Sequence, residues 1–133
     1  MSAATRIQRK FDPYRISSAA LQGFFNLSKE WGLTASQERT LLGSPAESTF
    51  FKWKAEKSAR RLSRDVLDRI SYLLGIYKAL NILLASPQAA NEWVKKSNAA
   101  PLFLGKSALD RMLGGRLVDL ADVRRYLDTQ RGL

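Results

Sequence analysis

Apolar residues recur along this chain at intervals of three and four, the signature of helices that bury one face. From Ser17 or Ser18 onward, Leu21, Phe24, Leu27 or Ser28, and Trp31 fall on one side of a helix that Gly32 ends. Thr34 opens a second helix, Gln37 completes its capping box, and Leu41 and Leu42 supply its apolar face. Gly43 suits the left-handed residue that closes such a helix. In Ser44-Pro45-Ala46-Glu47, Ser44 is expected to cap the next helix, Pro45 to sit at its first position and Glu47 to complete a second capping box. The pattern predicts short helices over residues 35–42 and 45–54 with a turn of about three residues between them, which is the helix-turn-helix arrangement.

Ser63 is expected to open a long helix running to about residue 85. Val66, Leu67, Ile70, Leu73, Leu74, Tyr77, Leu80 and Leu84 line its apolar side, and Ile76, Ile82 and Leu83 make its second half apolar nearly all round. Such a helix belongs at the centre of a core or in a subunit interface. Pro87 marks a break, and a shorter helix over residues 88–97 carries Trp93 as a core residue. A Pro-containing loop follows over 98–106, then a short helix over 107–113, a Gly114-Gly115 turn and a final helix over 118–129. Leu117, Leu120, Val123 and Leu127 should be its buried positions. No strand-like alternation and no internal repeat interrupts this pattern, so the expected fold is all-α. Its expected parts are a basic flexible arm (1–14), a helix-turn-helix DNA-binding and dimerisation region (15–86) and a small helical C-terminal domain (87–133).

Composition narrows the chemistry. The 133 residues are 45% apolar, enough for a real core, and contain neither cysteine nor histidine. Disulfides and thiolate metal sites are thereby excluded, along with the commonest general base. Asp65 and Asp68, and Asp119 and Asp122, sit three apart on helices, but no glycine-rich phosphate loop or dinucleotide fingerprint accompanies them. They read as charges favouring helix N-termini. No catalytic, metal-binding or cofactor-binding residue is expected, and the chain is not read as an enzyme. The basic, polar start lacks the apolar run of a signal peptide. The most apolar stretch, 72–84, falls short of the roughly 20 residues a bilayer span requires. A cytoplasmic protein with no membrane partner is expected.

Twenty-two Lys and Arg against twelve Asp and Glu give a net charge of +10, pointing to a polyanionic partner, with nucleic acid foremost. Between Lys52 and Arg64 six basic side chains face Glu56 alone. This run directly follows the second helix of the helix-turn-helix, which in such proteins enters the major groove. Phe50 and Trp53 should pack inward, leaving Glu47, Ser48, Phe51 and Lys52 outside. Ser44 and the helix start are placed to meet a phosphate, and Lys54, Lys57, Arg60 and Arg61 to hold neighbouring ones. Glu47 either accepts from a cytosine amino group or caps the helix. Salt-sensitive binding to a short palindromic operator follows, to be lost on charge reversal at Lys52 and Lys54.

Beyond these physical readings, the chain from Ala19 to Leu133 resembles the Xre/MbcA/ParS antitoxins, the partners of RES-domain toxins. Leu41-Leu42-Gly43-Ser44 followed by Thr49-Phe50-Phe51-Lys52-Trp53-Lys54 is similar to the family's Xre-like helix-turn-helix. Trp93, the 98–101 loop, Phe103-Leu104-Gly105, Ala108-Leu109-Asp110-Arg111-Met112-Leu113, Gly115, Asp119-Leu120, Val123 and Tyr126-Leu127 follow the order of its toxin-binding domain. At Ser107 the chain departs from it, with a serine cap near where many relatives have proline. Many relatives also run several residues past the final glycine, here Gly132.

The resemblance implies an antitoxin of a type II toxin–antitoxin system. It would repress its own operon as a homodimer and cover the active site of an NAD-consuming RES-domain toxin. It places toxin contacts at Arg111, Arg116, Arg124, Arg125 and Tyr126, and in the tail at Asp128, Thr129, Gln130, Arg131, Gly132 and Leu133. These are read as lying opposite the buried stripe of the last helix. The competing reading is a stand-alone helix-turn-helix regulator whose C-terminal half only dimerises, though such a module would not need exposed arginines around Tyr126. An RNA-binding helical protein fits the charge but lacks an exposed aromatic stacking platform.

Overall fold

A computed structural model describes residues 12–59 and 61–133. The expected basic arm through residue 11, and Arg60, lie outside the described residues. Those described form seven α-helices and no strand: α1 (Pro13–Trp31), α2 (Ala35–Leu41), α3 (Glu47–Glu56), α4 (Arg64–Leu83), α5 (Pro87–Trp93), α6 (Ala108–Met112) and α7 (Leu117–Gln130). An isolated bridge between Ser97 and Ser107 pins the base of the loop between α5 and α6.

Helix α1 begins at Pro13, earlier than the expected Ser17 or Ser18. The Asp12 carboxylate accepts from the Tyr14 amide at 2.9 Å, and Pro13 takes the first position, where it loses no hydrogen bond. Part of the expected basic arm is therefore helix. Ser17, Leu21, Phe24, Leu27, Ser28 and Trp31 form the buried face. Gly32, at φ +65°, ends the helix as expected. Thr34 and Gln37 form their capping box, and Ser63 caps α4 through the Val66 amide.

α4 is the helix on which the others assemble, with α1, α5 and α7 all packing against it. Val66, Ile70, Leu73, Ile76, Ala79 and Leu80 are its buried apolar positions. Ile82 is 54% exposed, so the second half is not apolar-buried all round. From α7, Leu120, Val123 and Leu127 are buried as expected, whereas Leu117 is half-buried. These residues join Phe24, Phe50, Leu41 and Leu42 in one continuous core. Each fully buried Leu or Phe contributes about 1.5–3 kcal/mol.

Close approach explains one glycine within α4. A Cβ at Gly75 would run into the Arg124 guanidinium, which α7 lays across this point. Polar ties connect the layers. The Ser17 hydroxyl accepts from the Leu62 amide at 3.0 Å, and Arg69 donates to the Gly115 carbonyl at 2.9 Å while pairing with Asp65 at 2.8 Å.

Candidate functional site

The turn between α2 and α3 is built differently from the expected double cap. The Gly43 amide donates to Thr40 and the Ser44 amide to Arg39, closing α2 in a Schellman motif with Gly43 at φ +91°. Ser44 is thereby held at φ +56° and cannot adopt the extended conformation of an N-cap. α3 starts two residues later than expected. Ala46 stands at its cap position, Glu47 is its first residue, and no side chain bonds its first amides. Pro45 lies in the turn, its carbonyl accepting from Arg39 at 2.6 Å.

α3 is seated by Phe50, fully buried and 6.3 Å from the Phe25 ring, and by half-buried Trp53. Its outer face exposes Glu47, Ser48, Phe51 and Lys52, the arrangement the spacing predicts. Lys54 differs from these in already having a partner within the chain. Its ammonium is held 2.6 Å from Glu38, a carboxylate only 4% exposed that also accepts from the Ser28 hydroxyl at 2.6 Å. This relay fastens α1, α2 and α3 together, so Lys54 serves the fold before any phosphate. Lys57 ends α3 at φ +50°, and Lys57 and Arg61 are both exposed.

Sequence reasoning assigned no contact to Tyr14 or Thr49. Both line a solvent-open groove with Lys52, Trp53, Glu56, Ser58, Ala59 and Arg61, so the start of α1 flanks the end of α3. The Asp12-Pro13 pair, a cap followed by proline at the first helical position, carried the signal that Tyr14 belongs to a helix.

In the C-terminal part most of the expected contact arginines already hold carboxylates. Arg111 donates to Asp122 at 2.8 Å, Arg116 grips Asp119 with its Nη2 at 2.9 Å, and Arg124 reaches Asp128 at 3.1 Å. Arg131 lies 3.8 Å from the same Asp128. Arg125 is exposed and makes no ion pair among the described residues. Asp119 is buried. Burial alone would raise its carboxyl, but hydrogen bonds from the Arg116 side chain and amide, with the charges of Arg116 and Arg111, outweigh this and hold it below the ordinary value. The Asp119 partnership in turn raises Arg116. Among the described residues, no group of three acidic or other ligating side chains is placed to hold a metal ion.

Tyr126 does not lie on the free face assigned to it. Its ring stacks on Trp93 at 6.4 Å and meets Phe103 edge-on at 5.1 Å. α5 and the loop after it cover the side of α7 that periodicity left open. Trp93 and Tyr126 also wall an apolar groove with Leu80, Leu83, Leu84, Leu127 and Gln130. The tail is folded: the Leu133 amide donates to Asp128 and the Gly132 amide to Thr129, so Gly132, at φ +80°, closes α7. Gln130, Gly132 and Leu133 are exposed. Leu104 was not singled out by itself from sequence. It sits in the left-handed region at φ +53° with 83% of its surface exposed, a strained and apolar tip on the loop before α6.

Among the described residues no helix is long and apolar enough to cross a membrane. Residues 12–75 match the model of the antitoxin Xre-like helix-turn-helix domain, and residues 79–132 that of the antitoxin Xre/MbcA/ParS C-terminal toxin-binding domain. The chain is also 47% identical over 114 residues to the uncharacterized protein y4oB of Sinorhizobium fredii, a match covering 86% of this chain and 85% of that protein.

Proposed function

The chain belongs to the Xre/MbcA/ParS antitoxin family, and from that premise we propose that it silences a RES-domain, NAD-consuming toxin and represses its own operon as a homodimer. The observation that carries the reading is the presence on one chain of both family domains, a DNA-binding one and a toxin-binding one. In this reading the exposed face of α3 enters the operator's major groove while Lys52, Lys57 and Arg61 neutralise phosphates. Toxin contact falls to the exposed groups of the C-terminal part: Leu104, Arg125, Gln130 and Leu133. Among the described residues, the paired arginines Arg111, Arg116, Arg124 and Arg131 would first have to leave their carboxylates.

The packing of α7 weighs against a purely dimerising C-terminal half. Its apolar stripe, Leu120, Val123 and Leu127, is already buried against α4 within one protomer.

The test is co-expression with the product of the adjacent open reading frame, scoring growth, cellular NAD and co-purification. Rescue of growth and NAD together with a stable complex supports the proposal. A harmless neighbour that forms no complex overturns it. Truncation of residues 129–133 would also remove the closure of α7, so point changes are cleaner. Leu104→Asp combined with Arg125→Glu and Leu133→Asp should abolish neutralisation while leaving operator binding intact.

A further inference from the structure

We propose that Phe51 reads thymine, its ring meeting the C5-methyl group of one thymine in each operator half-site. The inference rests on the DNA-binding reading above and names what α3 selects.

Phe51 is a large apolar side chain, 53% exposed, on an otherwise polar face. Its neighbours there, Glu47, Ser48 and Lys52, are all exposed. Nor is it loosely held. Its ring sits edge-on to Phe50, centroids 5.1 Å apart and planes at 69°, and Phe50 is fully buried. The Lys54–Glu38–Ser28 relay fixes the helix beneath it. A ring held at a set position on the outer face of α3 can meet an apolar group that arrives from outside.

One ring among charges is too small a patch for a second copy of the chain, since a stable interface covers about 800 Å² per partner. Stacking on unpaired bases calls for neighbouring exposed rings. On this helix, however, Phe50 is buried and Trp53 half-buried, and exposed Tyr14 lines the groove beside Trp53, which Phe51 does not line. Among base edges in the major groove, thymine alone of the four standard bases offers a methyl group, and phenylalanine is one of the side chains that contacts it. Glu47 lies one turn earlier on the same face, where its carboxylate can accept from a cytosine amino group. The two side chains together favour the edges of adjacent pyrimidines.

The experiment selects duplexes from a random-sequence library with the full chain, then replaces each thymine of the winning duplex by deoxyuridine, which lacks only the methyl group. One thymine per half-site should prove sensitive, its replacement weakening the wild type roughly four-fold, the transfer value of one buried carbon. Phe51→Ala should be indifferent to that replacement, and Phe51→Leu should retain part of the effect. Wild-type helicity by circular dichroism and a cooperative thermal transition in both variants establish that the fold is kept. The contact is overturned if no replacement weakens the wild type, or if Phe51→Ala keeps the full sensitivity. A library that yields no enriched duplex overturns the DNA-binding reading itself, whereas an enriched duplex indifferent to deoxyuridine overturns the Phe51 contact alone.

Discussion

Lys52 and Lys54 stand two apart on α3 and look interchangeable in a charge tally, yet they answer to different physics. Lys52 is exposed on the outer face, whereas Lys54 neutralises buried Glu38. Removing one partner of a fully buried pair costs about 3–5 kcal/mol. With the Lys54 side chain 43% exposed, water screens part of that loss, and about 2 kcal/mol is expected from Lys54→Met. Lys54→Glu should cost more, because it sets two carboxylates together. Lys52→Glu should leave the urea midpoint within error and abolish operator binding. The double reversal would confound the two effects, so the single variants, compared by urea titration and by DNA titration, are the informative ones.

Asp119 gives a second prediction at this scale. Its folded pKa lies below the ordinary 3.8, so its contribution to stability is present above that value and is lost as pH falls through the folded one. Wild-type stability should therefore decline in acid. Asp119→Asn should be less stable at neutral pH by about 1–3 kcal/mol, with a flatter acid limb in urea midpoints measured against pH. A variant whose acid limb matches the wild type would assign the decline to other carboxylates.

Element by element, what the sequence revealed was whatever depends on near neighbours. Thr34, Ser63 and Ser107 were legible as caps because a cap binds an amide two or three residues away. Ser44 misled because it satisfies the same local rule, but the Schellman closure of α2 claims it first. Ser28, Glu38 and Lys54 come from three helices, and no spacing within one helix could have joined them. Tyr126 fails for the same reason, since its partners Trp93 and Phe103 lie on other segments.

The crossing of α4 by α7 makes a prediction of its own. Gly75→Ala gains about 1 kcal/mol in helix propensity but displaces Arg124. The displaced pair with Asp128 is partly exposed, worth about 0.3–0.5 kcal/mol, and the lost packing of the arginine stem adds to that. Gly75→Ala alone should come out near neutral. Gly75→Ala in an Arg124→Ala background should stabilise by about 1 kcal/mol, and a double-mutant cycle in urea measures the coupling.

At the scale of the molecule, the two family domains share one hydrophobic core. The matched segments, 12–75 and 79–132, meet inside α4, a continuous helix from Arg64 to Leu83. Arg69, in the half of α4 belonging to the first segment, donates to Gly115 in the second, and α7 covers α4. A fragment of residues 1–86 retains the whole of α4 but loses Leu120, Val123 and Leu127 from its apolar face. Buried positions on α4 such as Ile76 and Leu80 would then meet water. Removing three buried apolar side chains at about 1.5–3 kcal/mol each forfeits roughly 4.5–9 kcal/mol, comparable to the roughly 5–15 kcal/mol that holds a whole domain together. Residues 1–86 should therefore be largely unfolded or associated at micromolar concentration, and should bind operator weakly. Circular dichroism and sedimentation check this directly. A cooperative, monomeric fragment with full-length affinity for DNA would show instead that the C-terminal part is dispensable to the helix-turn-helix. If the fragment fails as expected, a toxin that grips α7 acts on the same core that seats α3, and repression and neutralisation are physically linked through α4.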